Sequence, residues 1–272
     1  MQKIILLTGA TDGIGLKTAR MLVSEGHHVL LHGRNPGKLQ ELEKVLRALP
    51  VQGKIETFVA DLSKFADVEA FATEVMQKHT RLDVLINNAG VFRAAETTTA
   101  EGLDIRFVVN TFAPYMLAQK LIPLLGATGR IVNVSSAAQS PVSLDALIGN
   151  QSLPDGAAYA QSKLALNMWS RHLADTILRD GPMIVAVNPG SLLGTKMVKE
   201  AFGVAGADIR IGAKILMQAA LSDEFANASG RYFDNDSGRF APPHPDALNP
   251  EKCQSVVQAI EQVLVQHTDW KV

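Results

Sequence analysis

The sequence TGATDGIG at residues 8–15 joins an apolar run, IILL at residues 4–7, to an amphipathic segment that starts at Gly13. Glycines let the chain turn tightly and let a ligand approach the backbone closely. A strand that leaves such a turn as a helix aims the free N–H groups of the first helical turn at an anion such as a pyrophosphate. The Gly-x3-Gly-x-Gly spacing differs from the generic Gly-x-Gly-x-x-Gly fingerprint, so a plain strand-to-helix turn is the alternative. Its place in the first strand-helix unit favours a nucleotide-binding turn.

Outward from this turn, apolar runs and amphipathic stretches alternate along the chain, as expected for strands separated by helices. Strands are predicted at residues 3–8, 28–32, 54–60, 83–86, 129–135 and 183–188, with a weaker seventh at 230–233. Helices are predicted at about residues 13–25, after Asn35-Pro36, at 64–78, at 101–125 with a kink at Pro114, and around Tyr159 up to about Arg179. We therefore predict an α/β fold: a doubly wound, mostly parallel seven-stranded sheet with helices on both faces, in a single Rossmann-type domain over residues 1–272.

Composition and charge argue against several classes of function. The 272 residues carry a net charge of −1 with a pI near 6.7, which gives no electrostatic case for binding nucleic acid or an anionic membrane. Cys253 is the only cysteine, so an intrachain disulfide is impossible and the chain suits a reducing cytosol. No cysteine cluster or spaced histidine pair indicates a metal site. Because no run of about 18 apolar residues occurs, we expect a cytoplasmic protein without a membrane anchor.

The end of the second predicted strand bears on the choice of cofactor. A nicotinamide site that prefers the unphosphorylated dinucleotide places an acidic residue there, to bind the ribose 2′-hydroxyl. This chain has Gly33 and then Arg34. A guanidinium forks naturally onto a 2′-phosphate, and Lys38 could assist from one turn into the helix. An exposed loop arginine is the alternative, but for a bound dinucleotide the sequence favours NADP over NAD.

Tyr159 and Lys163 are spaced four apart in a predicted helix, so their side chains share one face. A phenol has an unperturbed pKa of about 10, and an ammonium beside it stabilises the phenolate and lowers that pKa. A tyrosine tuned in this way can exchange a proton with an oxygen on a reacting carbon. Taken alone, such a pair is more often an exposed face on which the lysine extends toward water.

Three further motifs follow predicted strands and therefore lie at the same edge of the sheet. The tetrapeptide NNAG at residues 87–90 follows the fourth strand, Ser136 follows the fifth, and Pro189-Gly190 follows the sixth. These small and amide-bearing residues either buttress the sheet or line a cofactor. The Ser136 hydroxyl is expected at the same rim as Tyr159, and the backbone after the sixth strand could meet a nicotinamide carboxamide.

With these motifs in this order, the chain resembles the short-chain dehydrogenase/reductase family over about residues 3–200. The resemblance implies an oxidoreductase that transfers a hydride between NADP(H) and an alcohol/carbonyl substrate. It implies Tyr159 as the general acid/base, Lys163 as the residue that lowers its pKa and holds the nicotinamide ribose, and Ser136 as the residue that orients the substrate oxygen. Asn110, on the fourth predicted helix, would hold a water in the proton relay behind Lys163.

The motifs and the resemblance together predict a set of cofactor-binding residues. Asp61 would meet the adenine, residues 88–90 would flank the adenine ribose, and Thr195 would bond the carboxamide. The predicted set is Gly9, Thr11, Asp12, Gly13, Ile14, Gly15, Arg34, Asn35, Asp61, Leu62, Asn88, Ala89, Gly90, Tyr159, Lys163, Pro189 and Gly190.

Two segments, at about residues 139–156 and 191–213, interrupt the alternation of strands and helices and are predicted to lie beside the substrate. The first makes the Ser136-to-Tyr159 interval longer than in many family members, as in the retinol dehydrogenase-like and protochlorophyllide reductase-like branches. The turn before Thr195 is one residue longer than the common form. The second segment is rich in apolar residues, which indicates a hydrophobic or bulky carbonyl substrate. The alternative is that these residues pack onto the core and leave no pocket.

The resemblance leaves other readings open. A reductase of an activated C=C bond is conceivable from the protochlorophyllide-reducing branch, and a non-catalytic dinucleotide-sensing module could use the same fold. The resemblance also implies a possible homodimer or homotetramer built on the two long helices. Residues 234–250, rich in Pro, Asp and Gly, are expected at the surface.

Overall fold

The computed structural model describes residues 1–50, 53–176 and 181–271. Its strands form one sheet in the order β3-β2-β1-β4-β5-β6-β7-β8, and only the β7–β8 pair is antiparallel. The strands are β1 (Ile4–Leu7), β2 (His28–Gly33), β3 (Ile55–Val59), β4 (Val84–Asn87), β5 (Arg130–Val134), β6 (Met183–Asn188), β7 (Tyr232–Asp234) and β8 (Arg239–Ala241). The predicted doubly wound, mostly parallel α/β fold is confirmed.

Helices cover both faces of the sheet. The α-helices are α1 (Gly13–Ser24), α2 (Pro36–Arg47), α3 (Phe65–Lys78), α4 (Ile105–Phe107), α5 (Ala113–Leu125), α6 (Leu144–Leu147), α7 (Asp155–Asp175), α8 (Lys196–Phe202), α9 (Arg210–Leu221) and α10 (Pro250–His267). Neighbouring residues of β1 belong to different cores: Leu6 packs with α3, α5, α7 and α10, whereas Ile5 and Leu7 pack with α1, α2 and α9. Because alternate strand residues face opposite sides, both faces of the sheet are buried.

The strand count was wrong by one. The structure has an eighth strand within residues 234–250, which we expected to be irregular surface chain. β8 returns antiparallel to β7 and places Phe240 across from Phe233, with their ring centres 5.1 Å apart. Three residues are too few to show the alternation of apolar and polar side chains that identifies a strand. The polar turn between β7 and β8, which contains Gly238 at φ +66°, also looks like a loop in the sequence.

The predicted helix at 101–125 is broken into three parts. It starts only at Ile105, because the Asp104 side chain accepts the Arg106 N–H at 2.8 Å and caps α4. A π-helical turn, Val108–Phe112, follows and leads into α5. Pro114 lies at the start of α5 and cannot donate an i→i−4 hydrogen bond, so the break comes before the proline as a widened turn.

The helix that carries Tyr159 also differs at its ends. α7 begins at Asp155 and its described part ends at Asp175, whereas the predicted end near Arg179 lies outside the described residues. The middle of its 21 residues, from Ser162 to Ser170, is buried on all sides, and this stretch includes Lys163 and Trp169.

The C-terminal helix α10 was not predicted, and it covers the face that we expected to join copies of the chain. It packs along α7, and Glu261 on α10 accepts a hydrogen bond from the Tyr115 hydroxyl on α5 at 2.7 Å. Trp270, just after α10, stacks near Tyr115 with ring centres 6.0 Å apart. The C-terminal segment therefore covers one side of α7 and contacts α5 at Tyr115.

Within the three described ranges, the structure contains no helix with the combination of length and apolar character needed to cross a bilayer. Among those same residues, no group of three or more histidine, cysteine, aspartate or glutamate side chains is placed to hold a metal ion.

We expect α5 and α7 to make no contact between copies of the chain. Sedimentation equilibrium at micromolar concentration should then give a mass near 29.2 kDa. Ile260→Asp, on the buried face of α10, should lower the free energy of unfolding by at least about 3 kcal/mol, because it places a charge in the core.

The matched control is Gln258→Asp, an exposed position on the same helix, which should change stability by about 0.5 kcal/mol at most. A stable dimer that Ile260→Asp converts to folded monomers would show that this face joins two copies.

Candidate active site

The four predicted catalytic residues come together at the carboxyl ends of β4 and β5. Tyr159 lies in the second turn of α7, and Ser136 follows β5 and acts to lower the pKa of the Tyr159 phenol. Gly90 lies beside the other two: a Cβ built there would be 3.3 Å from Asn110 Oδ1 and 3.5 Å from Lys163 Nζ. Residues separated by as many as 73 positions in sequence are thus gathered at one rim of the sheet.

Burial controls the electrostatics of Tyr159 and Lys163. Burial raises the pKa of the Tyr159 phenol, and the polar side chain of Ser136 opposes this by lowering the pKa. Burial lowers the pKa of Lys163 to about 8. The lysine Nζ donates to the Val134 carbonyl at 2.7 Å and lies 5.8 Å from the Tyr159 ring centre. The expected net lowering of the Tyr159 pKa by Lys163 is therefore not seen, because desolvation outweighs other effects and the ammonium is directed at a carbonyl.

Asn110 is fully buried in the π-helical turn and is held by three hydrogen bonds. Its Oδ1 accepts the Val91 N–H at 2.8 Å, while its Nδ2 donates to the Val91 carbonyl at 2.9 Å and to Ser162 Oγ at 3.0 Å. Both amide hydrogens are used, so the side chain fixes the loop after β4 to α7. Its role in holding a water stays a prediction.

The glycine turn has the shape of an anion-binding cradle. Gly9 and Gly13 have φ of +66° and +52°, and a Cβ at Gly15 would lie 2.1 Å from the Gly9 carbonyl oxygen. Asp12 caps α1 by accepting the Gly13 N–H, and Ile14 and Thr11 are half-buried around the turn. Only glycine fits at these places, so bare backbone faces the N-terminus of α1. This arrangement fits a dinucleotide phosphate group.

The loop after β4 holds the glycine turn from one side. Asn88 Nδ2 donates to the carbonyls of Thr8 and Gly9 at 2.8 and 3.1 Å. The backbone N–H groups of Asn88 and Ala89 both donate to Thr8 Oγ1 at 3.0 Å. The NNAG motif therefore links the end of β1 to the end of β4.

His32 holds the same turn from the other side, and our sequence analysis missed it. Its Nδ1 accepts the Gly9 N–H at 3.2 Å, and its Nε2 lies 3.1 Å from the Ala60 carbonyl. The ring stacks on Phe71, with centres 4.8 Å apart. Burial lowers the pKa of His32 to about 4, so the ring is neutral at pH 7 and Nε2 is the donor. A histidine in the middle of an apolar strand was the available signal.

The residues predicted to bind the adenosine half of the dinucleotide lie after β2 and β3. Arg34 is exposed and forms no ion pair with any residue that the structure describes. Asn35 caps α2, since its Oδ1 accepts the Lys38 N–H at 2.9 Å. Asp61 accepts the Ser63 hydroxyl at 2.7 Å, which orients its carboxylate, and Leu62 is buried beside it.

The turn after β6 lies at the same end of the sheet as the other predicted site residues. Gly190 has φ +120°, and its N–H donates to Asn188 Oδ1 at 3.2 Å, while Asn235 Nδ2 donates to the Pro189 carbonyl at 2.9 Å. Thr195 caps α8 by accepting the Val198 N–H. Its methyl group lies 3.3 Å from the position of a Cβ at Gly13, so α8 begins beside the glycine turn.

The two expected substrate-side segments each contain a short helix, α6 and α8 respectively. In the second segment Leu193 is buried, whereas Leu192, Phe202 and Val204 are exposed. The alternative, in which these apolar side chains only pack onto the core, thus holds for Leu193 but not for the three exposed residues. Exposed apolar side chains remain at the rim near Tyr159.

Phe92 connects this second segment to Tyr159, and sequence analysis missed it. Its ring centre lies 4.9 Å from that of Tyr159 and 5.8 Å from that of Phe202. The next residue, Arg93, donates to the Glu200 carbonyl at 2.9 Å. The loop after β4 therefore supports both Tyr159 and α8. A lone phenylalanine in a loop carried no signal of this role.

Arg106 is a third missed residue. Its guanidinium is 1% exposed and bonds the carboxylates of Asp104 and Asp155. Asp155 is the first residue of α7, so this pair of contacts fixes the start of the helix that carries Tyr159. A buried guanidinium between two carboxylates satisfies its charge and restricts movement of α7.

Three comparisons agree on the family. The family model for short chain dehydrogenases matches residues 3–206. Retinol dehydrogenase 14 from Homo sapiens is 33% identical, covering 85% of this chain and 77% of that protein. Polyprenol dehydrogenase from Homo sapiens is 29% identical, covering 86% and 77%.

Among solved structures, an NADPH-bound carbonyl reductase from chicken fatty liver has a TM-score of 0.70 at 26% identity, covering 89% of this chain and 99% of that one. A metagenomic short-chain oxidoreductase in complex with NADP has a TM-score of 0.61 at 32% identity, covering 80% and 90%.

Protonation of His32 is expected to destabilise the fold as the pH falls. The folded ring has a pKa of about 4, whereas the unfolded ring titrates near its ordinary value of 6.5. Between these two pKa values the unfolded chain binds more protons than the folded chain. The stability that the neutral His32 ring gives the fold is therefore complete above pH 6.5 and is lost as the pH falls toward 4. The total loss is about 3 kcal/mol, measured as the free energy of urea unfolding at each pH.

His32→Asn is the matched variant, because asparagine keeps an acceptor near the Gly9 N–H and does not titrate. Its free energy of unfolding should fall less steeply than that of the wild type between pH 6.5 and 4. Equal slopes for the two proteins would contradict the assignment.

Proposed function

The chain belongs to the short-chain dehydrogenase family, and from this premise we propose that it transfers a hydride between NADP(H) and an alcohol/carbonyl substrate, with Tyr159 as general acid/base. The cofactor is NAD(P)(H); its phosphorylated form belongs to the proposal. The observation that carries the proposal is the convergence of Tyr159, Ser136 and Lys163, with Lys163 Nζ 5.8 Å from the centre of the Tyr159 ring. When bound, the dinucleotide supplies or accepts the hydride.

Tyr159 and Ser136 supply the groups that a carbonyl oxygen needs. Two hydroxyls side by side can both donate to that oxygen, which polarises the carbonyl. A raised pKa keeps the Tyr159 phenol protonated at neutral pH, and this is the form that gives a proton to a developing alkoxide. Lys163, with a pKa near neutrality, can return a proton to the site after each turnover.

The residues around the glycine turn would hold the dinucleotide. The bare backbone before α1 suits its pyrophosphate, and Asn88, Ala89 and Gly90 would flank one ribose. Arg34, exposed at the end of β2 with no acidic neighbour in that turn, would bind a 2′-phosphate. This supports NADP(H) over NAD(H).

A hydrophobic substrate is supported by two observations. Phe92 and Phe202 present apolar surface at the rim beside Tyr159, and Leu192 is exposed in the same segment as Phe202. The names of the relatives, retinol dehydrogenase and polyprenol dehydrogenase, describe enzymes of large apolar alcohols. We propose that this chain acts on an apolar alcohol or its carbonyl product.

Tyr159→Phe should keep NADPH binding and lose turnover, because it removes the proton donor and little else. We expect kcat to fall by a factor of about 100 to 10,000, the usual contribution of general acid/base catalysis. The assay is NADPH consumption with a panel of apolar aldehydes and ketones, and binding is followed by fluorescence titration.

Tyr115→Phe is the control, since that hydroxyl contacts Glu261 on α10 and is remote from the site. Retained turnover in Tyr159→Phe would refute the assignment. Product analysis with one enone in the same assay separates C=O reduction from C=C reduction, and a panel without any turnover would favour the dinucleotide-sensing alternative.

Arg34→Ala should weaken NADPH binding by a factor of about 10 to 100, the value of a charge-assisted hydrogen bond, and leave NADH binding nearly unchanged. Both affinities are measured by fluorescence titration at one ionic strength. The control, Arg81→Ala, removes an exposed arginine just before β4, at the opposite edge of the sheet. Equal losses for the two dinucleotides would show that Arg34 does not bind the 2′-phosphate.

A further inference from the structure

Ser136 lies where the sheet no longer holds the chain. The preceding residue, Ser135, makes a sheet hydrogen bond from its N–H to the Val187 carbonyl at 2.8 Å. Beyond it the chain is irregular as far as α6. The Ser136 hydroxyl oxygen accepts the Ala138 N–H at 3.1 Å, so its position depends on how this irregular loop is held.

Two side chains converge on the carbonyl oxygen of Ser136. Gln139 Nε2 donates to it at 3.0 Å, and the Tyr232 hydroxyl donates to it at 3.1 Å. A carbonyl oxygen has two lone pairs, so both are used. Fixing this carbonyl restrains the backbone of Ser136 and the loop whose Ala138 N–H holds the Ser136 hydroxyl.

Tyr232 comes from a rigid position. It is the first residue of β7, is 6% exposed, and pairs with Ala186 of β6 and Ala241 of β8. A residue held on both sides by sheet partners has little freedom, and its hydroxyl reaches a residue 96 positions earlier in the chain.

The turn between β7 and β8 is anchored to the opposite side of the same site. Asp236 accepts the Ser191 N–H at 2.7 Å and Asn188 Nδ2 at 2.9 Å. Asn235 also bonds the Pro189 carbonyl. One hairpin thus contacts both the Ser136 loop and the turn after β6, and it sets the distance between them.

We propose that Tyr232 is a positioning residue for the proposed reaction: its hydroxyl fixes the Ser136 carbonyl so that the Ser136 side chain meets Tyr159. The inference rests on the proposed function of Ser136 and Tyr159. Tyr232 does not compete as the proton donor, because burial and the carboxylate of Asp234 raise its pKa well above the ordinary value. It stays a protonated donor to the carbonyl.

The groups that face Tyr159 are few among the described residues. Lys163 lies on its own helix, Ser136 comes from the loop after β5, and the apolar ring of Phe92 packs against it from the loop after β4. Asp234 and Asp236 face Tyr232 instead. A change in how Tyr159 titrates after a change at Tyr232 would therefore pass through Ser136.

Tyr232→Phe removes one hydroxyl and keeps the ring. We expect kcat to fall about fivefold, as for the loss of one hydrogen bond, with the KM for NADPH unchanged. Because Ser136 acts to lower the pKa of Tyr159, displacing the Ser136 side chain should move the high-pH decline of kcat to higher pH. Gln139→Leu removes the second donor and should move the decline in the same direction.

Tyr115→Phe is the matched control, since it also removes a buried tyrosine hydroxyl that is hydrogen-bonded. It should lower stability by a similar amount and leave kcat and its pH profile unchanged. If Tyr232→Phe and Gln139→Leu both keep the wild-type pH profile, or if Tyr115→Phe shifts it equally, the inference is overturned.

A readout without turnover separates this inference from the proposed function. The chain has three tyrosines, and phenolate absorbance during a pH titration reports them directly. The step lost in Tyr159→Phe identifies Tyr159, and that step should move to higher pH in Tyr232→Phe. An unmoved step overturns the positioning role even if no substrate is found. A moved step in a protein that turns over no carbonyl compound would instead count against the proposed function alone.

Discussion

Hydrogen bonding between parallel strands is the constraint on which the site depends. Neighbouring parallel strands must run in the same direction, so the ends of β1, β2, β4, β5 and β6 all lie at one edge. The glycine turn, Arg34, Ser136 and the Pro189-Gly190 turn follow those ends. Strand pairing thus brings distant parts of the chain together at this edge. It places the predicted cofactor residues beside the predicted catalytic ones.

Burial is the second determinant, and it acts on Tyr159 and Lys163 in opposite directions. Desolvation favours the neutral form of each group, which raises the proton affinity of the phenol and lowers that of the amine. The ammonium contacts a backbone carbonyl and not the phenol, so attraction between the two charges is weaker than their spacing on the helix suggested. The spacing along α7 places Tyr159 and Lys163 close together, whereas burial in the surrounding core determines their pKa values.

The sequence allowed prediction of those features that are local or periodic. The glycine turn, the Tyr159–Lys163 spacing and six of the strands have patterns within a few residues. β8 is too short for a pattern, and the π-helical turn before Pro114 depends on how the helix packs. His32, Phe92, Arg106 and Tyr232 act through contacts with residues far away in the chain, such as the 96-residue link between Tyr232 and Ser136. Only His32 left a local signal, as a polar side chain in an apolar strand, and no local pattern identifies the other three.

The late position of α10 has a consequence for biosynthesis. The Tyr115–Glu261 hydrogen bond joins residues 146 positions apart, so α5 and α7 emerge from the ribosome well before the helix that shields them. A nascent chain stalled in that interval carries unshielded apolar helices, a condition that attracts chaperones and favours aggregation. Premature termination upstream of residue 250 would leave that condition permanent, even though every predicted catalytic residue had been synthesised. Complete folding in the cell therefore requires α10, a segment that contributes no residue to the predicted site.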